Sequence, residues 1–228
     1  MLTRKNFINV LEASRRGDFR LFKTHYSRMS FTERKDLENV LDRYFPDQRN
    51  FNLAKILDIF NMIINVYGES NIKVIELGCN DCMLADNISK EFNEISSWHG
   101  YDINEFAIGR YTNNNSNNNK VEPFILRDHF YRTEIDDDFD VFVSSHTLEH
   151  FNDDGFVECL NHISHVKYII IELPIFEFKS NSTDTHVLKM NREEMFKHFK
   201  YLGYKMFYLF QYGKNNSILV MGLYNEDA

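Results

Sequence analysis

A three-layer α/β/α fold around a mostly parallel sheet, closed by a C-terminal antiparallel hairpin and preceded by a helical cap, is predicted by three features of this chain. From Ile72 onward, apolar β-rich runs alternate with helical patterns, as βαβ units do. The run Val74-Ile75-Glu76-Leu77-Gly78 ends in a glycine that opens into a helix-compatible segment, so a buried strand turns sharply at Gly78. Near the C-terminus, two strand-like runs are joined only by Gly213-Lys214-Asn215-Asn216, which makes them an antiparallel pair.

A chain of 228 residues, 43% hydrophobic, buries one sizeable core. The expected division is a helical cap over residues 1–68 and a main domain over residues 69–228. No run approaches the ~18 apolar residues of a membrane span, and no apolar secretion core is seen near Met1, so a cytoplasmic protein without a membrane partner is expected. Three cysteines cannot all pair, which fits a reducing compartment. The net charge of −8 is uneven: residues 1–68 carry 12 Lys and Arg against 8 Asp and Glu, the remainder 14 against 26. An acidic body argues against nucleic acid, which needs clustered cations. The expected partner is a small molecule.

Within the cap, Phe7, Val10 and Leu11 share one helical face, as do Leu37, Val40, Leu41 and Tyr44. Pro46 and the polar residues 47–50 mark a break before an apolar helix from about Leu53 to Val66. The main domain follows with a helix over Met83–Phe92, a strand over Trp98–Ile103, another helix, and an asparagine-rich surface loop at residues 113–119. Val121–Leu126 reads as an edge strand because Pro123 cannot donate to a ladder. Phe139–Ser145 is the next strand, and His146 is expected to open a helix reaching His162. Tyr168–Leu173 is a buried strand closed by Pro174, and the polar insert Phe176–Met190 lies where a parallel sheet presents its ligand crevice. Asn191 caps a helix with Glu194 three residues on and a buried face of Met195, Phe199 and Leu202; Gly203 ends it.

The chemistry concentrates at strand ends. The turn after Leu77 leaves helix N–H groups unpaired, and a bare Gly78 lets a ligand approach the backbone. Asp102 follows Gly78 at close to the ~20 residues expected of a carboxylate that binds a ribose diol. Cys79-Asn80-Asp81-Cys82 is also a C-x-x-C at a helix start, the setting of a redox thiol pair, but such a module leaves Asp102 and the closing hairpin without a purpose. A nicotinamide-binding turn wants three glycines, and only Gly78 is present. His146-Thr147-Leu148-Glu149-His150 has the H-x-x-E-H order of one class of zinc peptidases, an ill-fitting chemistry for this α/β chain.

Taken together, Glu76-Leu77-Gly78-Cys79-Asn80-Asp81-Cys82, Tyr101-Asp102-Ile103, the strand Phe139–Ser145 with its Leu148-Glu149-His150 ending, His186-Val187-Leu188 and Leu202-Gly203-Tyr204 resemble the class I, Rossmann-like S-adenosylmethionine (SAM) dependent methyltransferases. The resemblance covers about Ile72 to Tyr224 and departs from the pattern at Asn80 and Cys82, where glycines are usual. Asn tolerates positive φ, which suits the substitution. It implies that Glu76, Gly78, Asn80 and Asp81 form the cofactor turn near the methionine moiety. Asp102 would hold the ribose beside Ile103, Asp128 and His129 would meet the adenine, and Ser145 and His146 would line the sulfonium side.

It implies methyl transfer, read as O-methylation of a small or saccharide-like metabolite. The alternatives are a metal-dependent enzyme acting on an RNA 3′ end or a quinone-type hydroxyl, and a SAM-binding protein without turnover. His146, Glu149, His150 and His186 are the expected catalytic residues, His146 as general base or pocket wall. The same four form a candidate site for a divalent transition metal, because imidazoles suit such an ion better than Mg²⁺.

Overall fold

The computed structural model describes residues 46–114, 118–135, 138–175, 188, 190–212 and 217–225. The expected helices over residues 7–44, the insert residue His186 and the hairpin connection at residues 213–216 lie outside these. Two compact units divide the chain, Met1–Leu53 and Ala54–Ala228.

Helix α1, Pro46–Asn65, starts earlier than the sequence suggests. Pro46 opens the helix instead of breaking it: a first-turn proline has no N–H to lose and its φ is already helical. Along this helix Ile56, Ile59, Phe60 and Ile63 are buried. Phe60 lies 6.2 Å from Phe92 and 5.6 Å from Trp98 between ring centres. From Ala54 onward this helix lies in the same compact unit as the sheet.

Seven strands form one sheet: β1 (Ile72–Leu77), β2 (Ile95–Asp102), β3 (Val121–Ile125), β4 (Val141–Ser145), β5 (Tyr168–Ile175), β6 (Lys205–Tyr212) and β7 (Ser217–Tyr224), in the order β3-β2-β1-β4-β5-β7-β6. The first five pair in parallel, and β7 runs antiparallel between β5 and β6. Pro123 does lie on an edge strand, opposite Gly100 of β2. Pro174, by contrast, lies inside β5 and does not close it, paired with Ile218. Because β4 ends with Ser145 opposite Glu172, β5 has a single neighbour at Pro174, a position that tolerates proline.

Helices α2 (Met83–Glu91), α3 (Glu105–Asn114), α4 (Asp153–His162) and α5 (Arg192–Tyr201) complete the layers. Ile75, Leu77, Phe142 and Ile169 bury one sheet face against Phe156 and Leu160 of α4 and Met195 and Phe199 of α5. Val74 and Glu76 point to the other face, with Trp98 and α1. Asn191 and Glu194 form the expected reciprocal cap of α5, at 3.0 and 2.8 Å. The expected helix from His146 is instead two pieces. Leu148–His150 is a single 3₁₀ turn, and α4 starts afresh after Asn152, whose side chain accepts from the Gly155 N–H at 2.8 Å.

Phe60 lies in the same compact unit as the sheet, so truncating its ring costs core stability. Phe60→Ala is expected to lose about 3–5 kcal/mol in urea unfolding; a loss near zero would return the helix to a separate cap.

Candidate functional site

Side chains with chemical potential gather at the carboxyl ends of β1, β2, β4 and β5. At the end of β1, Gly78 has φ +85°, and Asn80 and Cys82 follow at 49° and 54°. The turn thus visits the left-handed region three times, with Asn80 and Cys82 standing in for glycines. A Cβ on residue 78 would lie 1.7 Å from Thr147 Oγ1, so Gly78 is required for space as well as conformation. Tyr101 O accepts from the N–H groups of Gly78 and Cys79 at 2.7 and 3.2 Å, tying the turn to β2.

Asp102, the last residue of β2, holds two loops together. Its Oδ2 accepts from the Asn80 N–H and its Oδ1 from the Asn104 N–H, each at 2.7 Å. One lone-pair direction on each oxygen is left for a further donor. Next to it Ile103 is 79% exposed, an apolar side chain open to solvent beside a polar turn. Leu126 N–H donates to Asp102 O at 2.8 Å, bringing the segment after β3 alongside. There the Asp128 carboxylate accepts from the His129 N–H at 2.7 Å, which holds it below the usual range. His129 stacks on Tyr131 at 5.1 Å.

Glu76 is buried behind the turn, its Oε2 accepting from Trp98 Nε1 at 2.8 Å. Burial pushes its carboxyl up to about 8; the Trp98 bond works against this, and the charges of Asp102 and Asp81 add to it. The cysteines beside it are buried against Gly100. Contact with Cys82, then burial, raises the Cys79 thiol, the opposite of a reactive thiolate. The redox reading of C-x-x-C finds no support in this geometry.

The second group lies at the ends of β4 and β5. His146 adopts φ 52° at the strand end and leaves its imidazole 42% exposed. Its Nδ1 lies 3.5 Å from Glu149 Oε1 and its Nε2 3.3 Å from Glu172 Oε1, both carboxylates buried. Glu172 stands opposite Ser145 in the parallel register, and Ser145 Oγ donates to its Oε2 at 2.7 Å. Burial by itself would lower the His146 pKa, but the two carboxylates outweigh it and raise it to about 10. A neutral ring would turn a lone pair on one carboxylate; only imidazolium serves both.

The two carboxylates favour the protonated ring, which works against a general-base role for His146 near neutral pH. His150 is exposed at the end of the 3₁₀ turn, so the α-helical spacing that would have placed it over His146 does not exist. Among the described residues no group of three His, Cys, Asp or Glu side chains could hold an ion. Glu172, which no motif in the sequence marks, is the residue that completes the cluster. Its signal was a lone charge inside the apolar strand Tyr168-Ile169-Ile170-Ile171-Glu172-Leu173, since unpaired carboxylates are rarely buried.

No family model and no curated protein matches the chain. Solved structures match it in fold. It is similar to a SAM-dependent methyltransferase from Clostridium acetobutylicum ATCC 824, with a TM-score of 0.64 and 10% identity over 84% of this chain and 98% of that one. Magnesium protoporphyrin IX methyltransferase from Synechocystis PCC 6803, with bound S-adenosylhomocysteine, gives 0.61 and 9% over 87% and 89%. The [4+2]-cyclase SpnF gives 0.60 and 7% over 75% and 80%. The chain has the Rossmann-like fold of the class I SAM-dependent methyltransferases. No described helix is long and apolar enough to cross a membrane.

Two measurements probe the turn. Gly78→Ala is expected to cost about 1–3 kcal/mol for the left-handed backbone and a similar amount for the collision; Thr147→Ala in the same chain should recover part of the second share in a double-mutant cycle. The folded Glu76 carboxyl, at about 8 against 4.5 unfolded, contributes stability that is complete below pH 4.5 and lost as pH rises through 8. Melting temperature of the unliganded protein should therefore fall between pH 5 and pH 8, and Glu76→Gln should flatten that slope.

Proposed function

We propose that this chain binds SAM at the Gly78–Asp102 turn and transfers its methyl group to a small-molecule acceptor held near Glu149 and Glu172. The observation that carries the reading is Asp102: a carboxylate at the end of β2 whose two oxygens are fixed by backbone N–H groups yet keep acceptor capacity outward. Such a carboxylate suits the vicinal hydroxyls of a ribose.

The neighbouring groups suit the rest of that ligand. Ile103 offers an exposed apolar surface for a base. The acidic set of Glu76, Asp81 and Asp102 favours a cationic ligand, and Glu76, neutral by burial, would regain charge beside one. Bound SAM supplies an activated methyl group on a sulfonium, so the protein's part is alignment and disposal of any acceptor proton.

The finer reading is methylation at oxygen of a small or saccharide-like metabolite. An acceptor hydroxyl at this end gives its proton to the cluster of His146, Glu149 and Glu172. The RNA 3′ end and quinone-type alternatives rest on a metal, for which the described donor set is unsuited. The cyclase likeness supports a second reading, SAM binding without methyl transfer, because one fold hosts unrelated chemistries.

Calorimetry with SAM tests the first part: ~1:1 binding is expected, weakened roughly 10–100-fold by Asp102→Ala. An absence of binding by the wild type, or an unchanged constant in the variant, would overturn it. Incubation of cell extract with methyl-labelled SAM and the protein, followed by mass spectrometry, then separates turnover from mere binding.

A further inference from the structure

The two edges of the sheet are finished differently. At one, β3 is five residues long and carries Glu122 and Pro123, a charge and a missing N–H donor that discourage a further strand. At the other, β6 is eight residues long, has no proline, and bears its single charge, Lys205, at the first position. It pairs with β7 and with no other strand among the described residues, so alternate backbone groups along it face outward.

Its side chains form an apolar ledge. Met206 lies opposite Leu223 and Leu209 opposite Met221, because the register shift after Met206 sets both on one face. On that face Leu223 and Met221 are buried in the core that includes Met195 and Phe199 of α5, whereas Met206 is 45% exposed and Leu209 43%. Helix α5 thus covers β7 and stops short of β6. It runs against the direction of β6: Gly203, at φ +86°, turns the chain back, and Arg192 Nη1 at the helix start donates to Gln211 Oε1 near the strand end at 2.8 Å. Glu193 and Glu194 lie in the first turn of the helix, His198 and Lys200 in its last.

A second copy of the chain answers the open edge, the ledge and the helix charges together. Rotation by 180° about an axis normal to the sheet near Leu209 sets β6 antiparallel to its copy, outward backbone groups against outward backbone groups. The two ledges then adjoin, and the two α5 helices, over strands three spacings apart, stand roughly 14 Å from each other with Met206 and Leu209 of both copies between them. These helices are antiparallel, so the acidic first turn of each faces the basic last turn of the other, Glu193 toward Lys200 of the partner subunit. Lys205 falls at opposite ends of the joined strands, whereas a parallel pairing would set it against its own copy. We infer that β6 is the edge through which this protein forms a two-fold homodimer, a property that does not rest on the methyltransferase reading. Because β6 runs parallel to β5, the two crevices open at opposite ends of the joined sheet.

Sedimentation equilibrium of the full chain, without ligand, tests it. The mass is expected to rise from one chain toward two between ~1 and ~200 μM, since an interface of this modest size dissociates in the micromolar range. Leu209→Lys sets two like charges beside the axis and is expected to weaken association at least tenfold, with far-UV circular dichroism unchanged. Glu193→Lys serves as the second variant should the first fail to fold: it is expected to weaken the dimer several-fold, and Lys200→Glu in the same chain to restore it. A monomer at every concentration, a dimer that the folded variants leave intact, or growth beyond the dimer would each overturn the inference, the last because two-fold pairing uses up the edge.

Discussion

Thr147 fills the volume that a side chain at residue 78 would need, and this one contact joins the two halves of the site. Because Gly78 lacks a Cβ, the turn after β1 can lie directly on the start of the segment after β4. The turn's left-handed residues then present the Asn80 N–H to Asp102, and the segment beyond Thr147 places Glu149 within reach of His146. A larger residue at position 78 would push the ends of β1 and β4 apart, and with them the two carboxylate groups. The parallel sheet brings strand ends together; the missing Cβ decides how closely.

The two acidic groups differ in how their environments set charge. Glu76 faces Trp98 and an apolar layer, so water is lost without a cation to replace it and the proton stays. Around His146 the balance is reversed: two carboxylates share one ring, and the ring keeps its proton. One environment thus favours the neutral acid and the other the charged base. Both are set by what the neighbouring strand contributes, Trp98 in one case and Glu172 in the other.

This dependence on neighbours explains what could be read in the sequence. Local signals translated directly: Asn191 and Glu194 cap within one turn, Pro123 excludes a central strand, and Gly78 with Asp102 marks a βαβ unit. The capping box needs no partner from elsewhere. His146 was different, because a helix start and a left-handed strand end share the same composition, and only the parallel register of β4 on β5 sets Glu172 beside it. Pro174 depends on neighbours in the same way: whether a proline ends a strand depends on the length of the adjacent one. Pro46 has the composition of a breaker, yet the first turn of a helix accepts it. The fold was legible because periodicity and turn chemistry encode it locally. The acid–base state of the site was not, because it is a property of paired strands.

Gly100 carries a further consequence. Its bare backbone on β2 accepts the two thiols of Cys79 and Cys82, which lie between the turn and the sheet with almost no access to solvent. A thiol so placed meets an alkylating reagent only when its surroundings open, and the segment that must open is the Gly78–Cys82 turn itself. The rate at which these cysteines are modified is therefore a clock for excursions of that turn, readable without any introduced label. A ligand that clamps the turn would slow the clock in proportion to its occupancy.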